Sequence, residues 1–311
     1  MLDQAEALRE MVDRAGGPAG LPETPPARAA EQPPPPAPPA PSARVVAVAS
    51  GKGGVGKTTL AVSLAAELVR RGRRVLVLDA DFGTANADVA CGLSPEATLA
   101  DVLRGTHRLA EIQLLAPGGF HLLPGASGLV GTGDLPAERL GGLLRGLDAL
   151  EAANDMILLD VGAGVGPVVR RFCAAAGRLL VVTTPDPTAV TDAYALLKTL
   201  SAGGAAAHAS VVVNLARDLA EGREVHGRLE ATCRHFLDLS PPLAGVVPAD
   251  PAAAASVRDR VPLLARPASS PAGHGLARLA ATLDQRGGHA AAADPAAGRP
   301  RRGLLRRLLA R

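Results

Sequence analysis

Fifteen residues constrain this chain more than any others: Val45 to Thr59, VVAVASGKGGVGKTT. Val45, Val46, Ala47, Val48 and Ala49 form a short apolar run suited to a strand buried on both faces of a parallel sheet. From Thr58 onward, Leu60, Leu64, Leu68 and Val69 recur at helical spacing. Between strand and helix lie Gly51, Lys52, Gly53, Gly54, Val55, Gly56, Lys57 and Thr58, a match to the phosphate loop G-x-x-x-x-G-K-[ST]. Glycines let the backbone close around a phosphate, while successive N–H groups and the helix N-terminus supply positive potential. Lys57 is then placed for the β- and γ-phosphates of a nucleotide and the Thr58 hydroxyl for a magnesium ion, with Thr59 next in the binding turn. A glycine-rich turn that merely connects strand to helix is the plain alternative. Strand, loop, Lys-Thr and helix in the order the chemistry needs weigh against it.

Charge usage strengthens the reading. Of 33 basic residues only Lys52, Lys57 and Lys198 are lysines, so two ammonium groups sit inside one eight-residue loop of a chain that otherwise writes cations as arginine. A compact point charge on a flexible stem fits between phosphate oxygens where a planar guanidinium does not.

Lys52 makes the loop unusual. Lys52-Gly53-Gly54-Val55-Gly56-Lys57-Thr58 resembles the signature K-G-G-x-G-K-[ST] of the deviant Walker A ATPases, the MinD/ParA family, and the resemblance covers about residues 44–286. It implies an α/β fold with a doubly wound, mostly parallel sheet flanked by helices, and hydrolysis of ATP with Mg2+. It also implies an ATP-bound sandwich homodimer in which Lys52 reaches the partner's nucleotide.

Acids follow two further apolar runs. Arg74–Leu78 leads into Asp79-Ala80-Asp81, and Met156–Leu159 ends in Asp160. Carboxylates at the C-terminal end of parallel strands sit where doubly wound sheets bind ligands, although acids near a turn are often ordinary caps. By the resemblance, Asp81 positions the attacking water, Asp79 supports Thr58 and the magnesium shell, and Asp160 holds magnesium through water. Gly164, in Val161-Gly162-Ala163-Gly164, can bring its N–H to the γ-phosphate and move when that phosphate leaves. The family's usual threonine is Val161 here, which implies slow, regulatory turnover. Asn214, at the end of Ser210–Val213, matches the asparagine that hydrogen-bonds adenine, but the arginine usual after it is Leu215. Gly245-Val246-Val247-Pro248-Ala249-Asp250 resembles the segment whose Pro248 and Asp250 line the base; a simple strand-to-helix turn explains it equally well.

Composition excludes several other classes. Four Phe, one Tyr and no Trp leave too few aromatic faces for a base-stacking platform, so the core must be aliphatic. Cys91, Cys173 and Cys233 are widely spaced, with no C-x-x-C pair for zinc, iron–sulfur or a disulfide framework; small buried thiols in a reducing cytoplasm are the expectation. Neither a signal peptide nor a run of about 18 uncharged apolar residues is legible, placing the chain in the cytosol.

Two appended segments complete the reading. Residues 1–15 carry Leu2, Ala5, Leu8 and Val12 at helical spacing, and residues 16–43, with Pro33–Pro36, form an extended linker. Asp3-Gln4-Ala5-x-x-Leu8-Arg9 resembles the activator element of the flagellar-number branch of the family (FlhG, also FleN or YlxH), which implies stimulation of a FlhF-type GTPase; a fraying terminal helix is the alternative. After a spacer at 287–298, residues 299–311 hold six arginines, and setting these aside turns the net charge of +3 into −3. Leu304, Leu305, Leu308 and Leu309 share one helical face, as in a basic amphipathic helix on an anionic membrane, and this too resembles the family's C-terminal targeting sequence. A disordered or nucleic-acid-attracting tail is the competing reading.

Together these features describe a P-loop ATPase domain at 44–286 that dimerises with ATP, associates reversibly with the inner face of the cell membrane, and regulates flagellar number. Flagellar basal-body or transcriptional regulator proteins are further partners the resemblance allows. A MinD-like division-site regulator and a ParA-like DNA- or cargo-positioning ATPase are the alternatives. The −3 balance outside the tail argues against specific nucleic-acid binding.

Overall fold

The computed structural model describes residues 44–125 and 146–285. Strand and helix alternate from β1 (Arg44–Ser50) through α1 (Lys57–Arg70), β2 (Val75–Ala80), the short helices α2 (Ala87–Ala90) and α3 (Leu99–Arg104), β3 (Leu114–Leu115) and β4 (His121–Leu123). Then come α4 (146–153 within the described residues), β5 (Met156–Ala163), α5 (Pro167–Ala175), β6 (Arg178–Thr183) and α6 (Pro187–Ser201). The chain continues with β7 (Ala209–Ala216), α7 (Leu219–Leu237), β8 (Leu243–Pro248), α8 (Pro251–Asp259) and α9 (Pro271–Asp284). The expected N-terminal helix at 1–15, both linkers and the basic segment at 299–311 lie outside the described residues.

The eight strands form one sheet in the order β3-β4-β2-β5-β1-β6-β7-β8. Every pairing is parallel except β3 with β4. This is the doubly wound arrangement expected. β1 lies between β5 and β6, with Val46 opposite Leu158 on one side and Arg178 on the other. The winding direction reverses at β1, so a crevice opens outside its C-terminal end, where the glycine loop begins.

Alternation along β1 builds two cores. Val45, Ala47 and Ala49 point toward α5, α6 and α7, packing with Leu159, Phe172, Leu196 and Leu229. Val46 and Val48 point the other way, toward α1 and α9, packing with Leu64, Leu68, Leu276 and Leu279. Period-two side-chain direction makes both faces apolar, and each fully buried Leu or Val contributes about 1.5–3 kcal/mol. Helix starts are written locally. Asp186 with Pro187, Asp250 with Pro251 and Ser270 with Pro271 pair a capping side chain with proline in the first turn.

β3 adds an antiparallel edge strand that was not expected, and α8, after the strand-to-helix turn at Asp250, is a helix with no buried residue. Asp250 explains how α8 is held: one carboxylate oxygen accepts from Ala252 N (2.8 Å) and the other from Ala272 N (2.9 Å), clamping the starts of α8 and α9 together. Burial raises the thiols of Cys91 and Cys173 to about 12, in keeping with inert core positions. Among the described residues, no helix is long and apolar enough to cross a membrane.

Candidate functional site

The loop from Gly51 to Gly56 takes its shape from two left-handed glycines and one distant asparagine. Gly54 (φ 79°) and Gly56 (φ 86°) occupy the region that side chains with a Cβ avoid. Asn214, at the end of β7, donates from Nδ2 to the Val55 carbonyl at 2.8 Å, pinning the loop from above. A Cβ on Gly56 would come within 2.5 Å of that Nδ2, and one on Gly51 would run into the Asp192 carbonyl. No side chain caps the N-terminus of α1. Its first N–H groups therefore remain available to an anion. Gly56→Ala should cost about 1–3 kcal/mol, from left-handed backbone and a displaced Asn214, and should weaken nucleotide binding as well. Thermal unfolding beside a nucleotide titration checks this, and an unchanged midpoint would mean that the loop relaxes freely.

Lys57 opens α1 and is buried. Burial lowers its pKa, while Asp160 and Asp81 nearby pull the other way. Asp79 and Asp160 stand side by side on β2 and β5. Asp79 spends its carboxylate on the following loop, accepting from Asp81 N (3.1 Å), Asn86 N (2.9 Å) and Ala87 N (3.0 Å). The Thr58 hydroxyl donates to Asn86 Oδ1 at 3.1 Å, so Asp79 supports Thr58 only through Asn86. Asp160 differs. Among the described residues both its oxygens are buried without a hydrogen-bond partner; the nearby Thr58 hydroxyl favours the charged form but donates to Asn86. Burial first, and the Asp79 charge second, push the Asp160 carboxyl up to about 7, and burial pushes Asp79 to about 6.

An orphaned buried carboxylate beside a threonine hydroxyl and an ammonium is a group in want of a cation. Among the described residues no group of three or more His, Cys, Asp or Glu could chelate a metal. The donor set is hard oxygen and sparse, which suits Mg2+ completed by water and phosphate.

Asp81 lies one strand over, its Oδ1 accepting from Gly83 N (3.1 Å) and Thr84 N (3.0 Å) and its Oδ2 from Thr84 Oγ1 (3.2 Å). A Cβ on Gly162 would fall 3.2 Å from Asp81 Oδ1, so Gly162 lets the carboxylate settle against the β5 terminus. Gly164, at φ 98°, donates its N–H to the Ser50 carbonyl (2.9 Å). Lys52 turns toward α6, where its ammonium donates to Asp186 Oδ2 (2.7 Å) and Thr188 Oγ1. That hydrogen bond leads the interactions that hold the Asp186 carboxyl down at about 2. The pair is exposed at the rim of the crevice.

Beside the loop lies an apolar cleft of about 280 Å³ whose walls include Gly54, Thr59, Asn214, Leu215, Pro248 and Val257. Its size suits one flat heterocycle more than a whole drug-sized ligand. Asp250 also borders it, with both oxygens engaged in capping, and Leu215 enters at φ 56° and half exposed.

Residues 46–263 match the family described as the CobQ/CobB/MinD/ParA nucleotide binding domain. The chain belongs to this family. It is a P-loop ATPase of the MinD/ParA type. The chain is 41% identical to Antiactivator FleN of Pseudomonas aeruginosa over 207 residues, covering 67% of this chain and 74% of that protein. It is 35% identical to Flagellum site-determining protein YlxH of Helicobacter pylori over 195 residues, covering 60% of this chain and 63% of that one. Among solved structures it is similar to the cell division ATPase MinD of Pyrococcus furiosus, with TM-score 0.62 and 25% identity over 77% of this chain and 98% of that one.

The structure places most of the candidate residues in two groups at one edge of the sheet, while Lys52 lies apart against Asp186 and Thr188 and Gly164 against Ser50. Lys57, Thr58, Asp79, Asp81 and Asp160 cluster around the loop, while Asn214, Pro248 and Asp250 form the cleft beside it. Sequence reasoning missed Asp186 and Thr188 as the resting partners of Lys52, and Asn86 as the link from Asp79 to Thr58. Asp186 did carry a signal, standing before Pro187 as an N-cap; nothing local tied it to a lysine 134 positions away.

Proposed function

We propose that this chain is an ATP-dependent switch that regulates flagellar number or placement, dimerising around ATP and Mg2+ and associating with an anionic membrane through residues 299–311. The carrying observation is the loop with its two lysines beside the orphaned Asp160. The flagellar assignment draws on the likeness to FleN and YlxH and on the Asp3-Gln4-Ala5 element.

In this reading the loop amides and Lys57 bind the β- and γ-phosphates, Thr58 and Asp160 hold Mg2+, and Asp81 orients the attacking water. Mg2+ there supplies charge neutralisation on the phosphate oxygens. Asn214 and the segment through Pro248 and Asp250 seat the adenine. Gly164 exchanges the Ser50 carbonyl for the γ-phosphate, so loss of that phosphate returns it to Ser50. Lys52 leaves Asp186 and Thr188 to reach the partner's nucleotide. Exposed ion pairs of this kind are worth little, so the exchange costs little.

Lys52→Ala tests the dimer. ATP-dependent dimerisation by size-exclusion chromatography should vanish and turnover should fall about 10²-fold, the scale for losing one charge-stabilising donor, while Lys57 still binds nucleotide. Unchanged dimerisation and turnover would refute the trans role. For the flagellar branch, a peptide of residues 1–20 should stimulate GTP hydrolysis by a FlhF-type GTPase and lose that effect with Gln4→Ala. Stimulation by neither peptide would move the reading to a division-site or cargo-positioning ATPase with the same core.

A further inference from the structure

Aromatic rings are scarce in this chain, with four Phe and one Tyr in 311 residues, yet two of them meet at the site. Phe82 directly follows Asp81, and Phe172 lies on α5, the helix that leaves the Gly162–Gly164 turn. Their ring centroids are 5.7 Å apart and the planes are tilted by 40°. Phe172 is buried in the core on the α5–α7 side of the sheet, where Val169 and Cys173 also pack, and Phe82 is half-buried against that core.

The β2–β5 ladder ends at Ala80 opposite Val161, one residue before Asp81 and Gly162, and the aromatic contact joins the two segments beyond that end. On one side, Asp79 holds the Asp81 N–H, and Asp81 closes its own turn through Gly83 and Thr84. On the other, Gly164 holds Ser50. Asp81 Oδ1 rests over Gly162, but a glycine offers no side chain to grip it. Past the end of that ladder, the ring of Phe82 adds a side-chain contact that links the turn carrying Asp81 to α5 itself. A tilted aromatic pair resists sliding better than an aliphatic contact of similar area, because ring edges and faces attract in particular orientations.

We propose that Phe82 and Phe172 are positioning residues that couple the turn carrying Asp81 to the turn carrying Gly164, so that movement of one at the γ-phosphate resets the other. This rests on the reading of Asp81 as the group that orients the attacking water. Neither ring touches the reacting atoms. Their effect passes through the backbone of Asp81, and so it falls on kcat and leaves nucleotide binding by the loop alone.

The test uses the full chain with Mg2+ and ATP at fixed protein concentration. Phe82→Leu should lower kcat about two- to tenfold, the range one aromatic pair commands, with KM for ATP unchanged. Phe82→Tyr, which keeps the ring, should restore wild-type kcat. The double variant Phe82→Leu/Phe172→Leu should lose no more than the worse single variant, the signature of one shared contact. In nucleotide-free protein, hydrogen exchange at the Gly83 and Thr84 amides should quicken in Phe82→Leu. Wild-type kcat in Phe82→Leu, or losses that multiply in the double variant, would overturn the coupling. Wild-type turnover by Asp81→Ala would instead remove the role of Asp81 and the proposal with it.

Discussion

Asp160→Asn is expected to stabilise the metal-free protein and, in the same molecule, to abolish Mg2+-dependent ATP turnover. Among the described residues both oxygens of Asp160 are buried without a hydrogen bond, and burial with the neighbouring Asp79 raises its carboxyl to about 7. In the unfolded chain it ionises near 4. Between those values the folded protein holds a proton the unfolded chain has released, so the stability Asp160 contributes is complete below pH 4 and is lost as pH rises through about 7. Asp79, raised to about 6, acts in the same direction.

Metal-free protein should therefore melt at lower temperature as pH rises from 5 to 8. Asn, which carries no charge, should flatten that slope and recover on the order of 3 kcal/mol at pH 8, a shift of roughly 6–12 °C for a domain this size. Mg2+ with nucleotide should flatten it in the wild type by meeting the same carboxylate. The check is a thermal-unfolding series across pH, with chelator and with Mg2+–ATP, beside steady-state ATP hydrolysis. A melting temperature that rises with pH, or an Asn variant less stable at pH 8, would mean that Asp160 has a partner in the folded protein.

Lys57→Ala should lower ATP turnover by about 10²–10³-fold and weaken nucleotide binding, because it removes the one buried ammonium facing Asp160 and Asp81. Lys57→Arg should fare little better. Elsewhere the chain meets nearly every need for a cation with arginine, and Arg73 and Arg74 pair readily with Asp284 and Asp155. At the start of α1 the lysine is buried, and a planar fork with five donors does not reproduce a point charge on a flexible stem. Nucleotide titration and steady-state hydrolysis of both variants decide the matter; an arginine variant with wild-type turnover would make any cation sufficient there.

Much of the framework is local and so was legible. Alternation in Val45–Ala49 sends side chains to two faces, and Asp186 and Asp250 cap helices that open with Pro187 and Pro251. Each is a short-range preference of a few neighbouring residues. The edge strand β3 was not legible, because two residues carry too little pattern to distinguish a strand from a loop. The strand-to-helix reading of Gly245–Asp250 pointed to a helix start, but the extent of α8 carried no apolar stripe, because the helix buries no residue.

The sequence alone determined the phosphate loop, the strand-to-acid order that puts Asp79, Asp81 and Asp160 at one edge, and the doubly wound class, since these follow from period, spacing and chemistry within a few dozen residues. Tertiary structure decided what those groups touch. Lys52 rests on Asp186 and Thr188, Asn214 holds the Val55 carbonyl across 159 positions, Asp160 has no hydrogen bond among the described residues, and Phe82 finds Phe172. The physical reason is that side-chain partners are chosen by strand order and crossover geometry. Those depend on how the whole sheet closes, and no local window of residues encodes them.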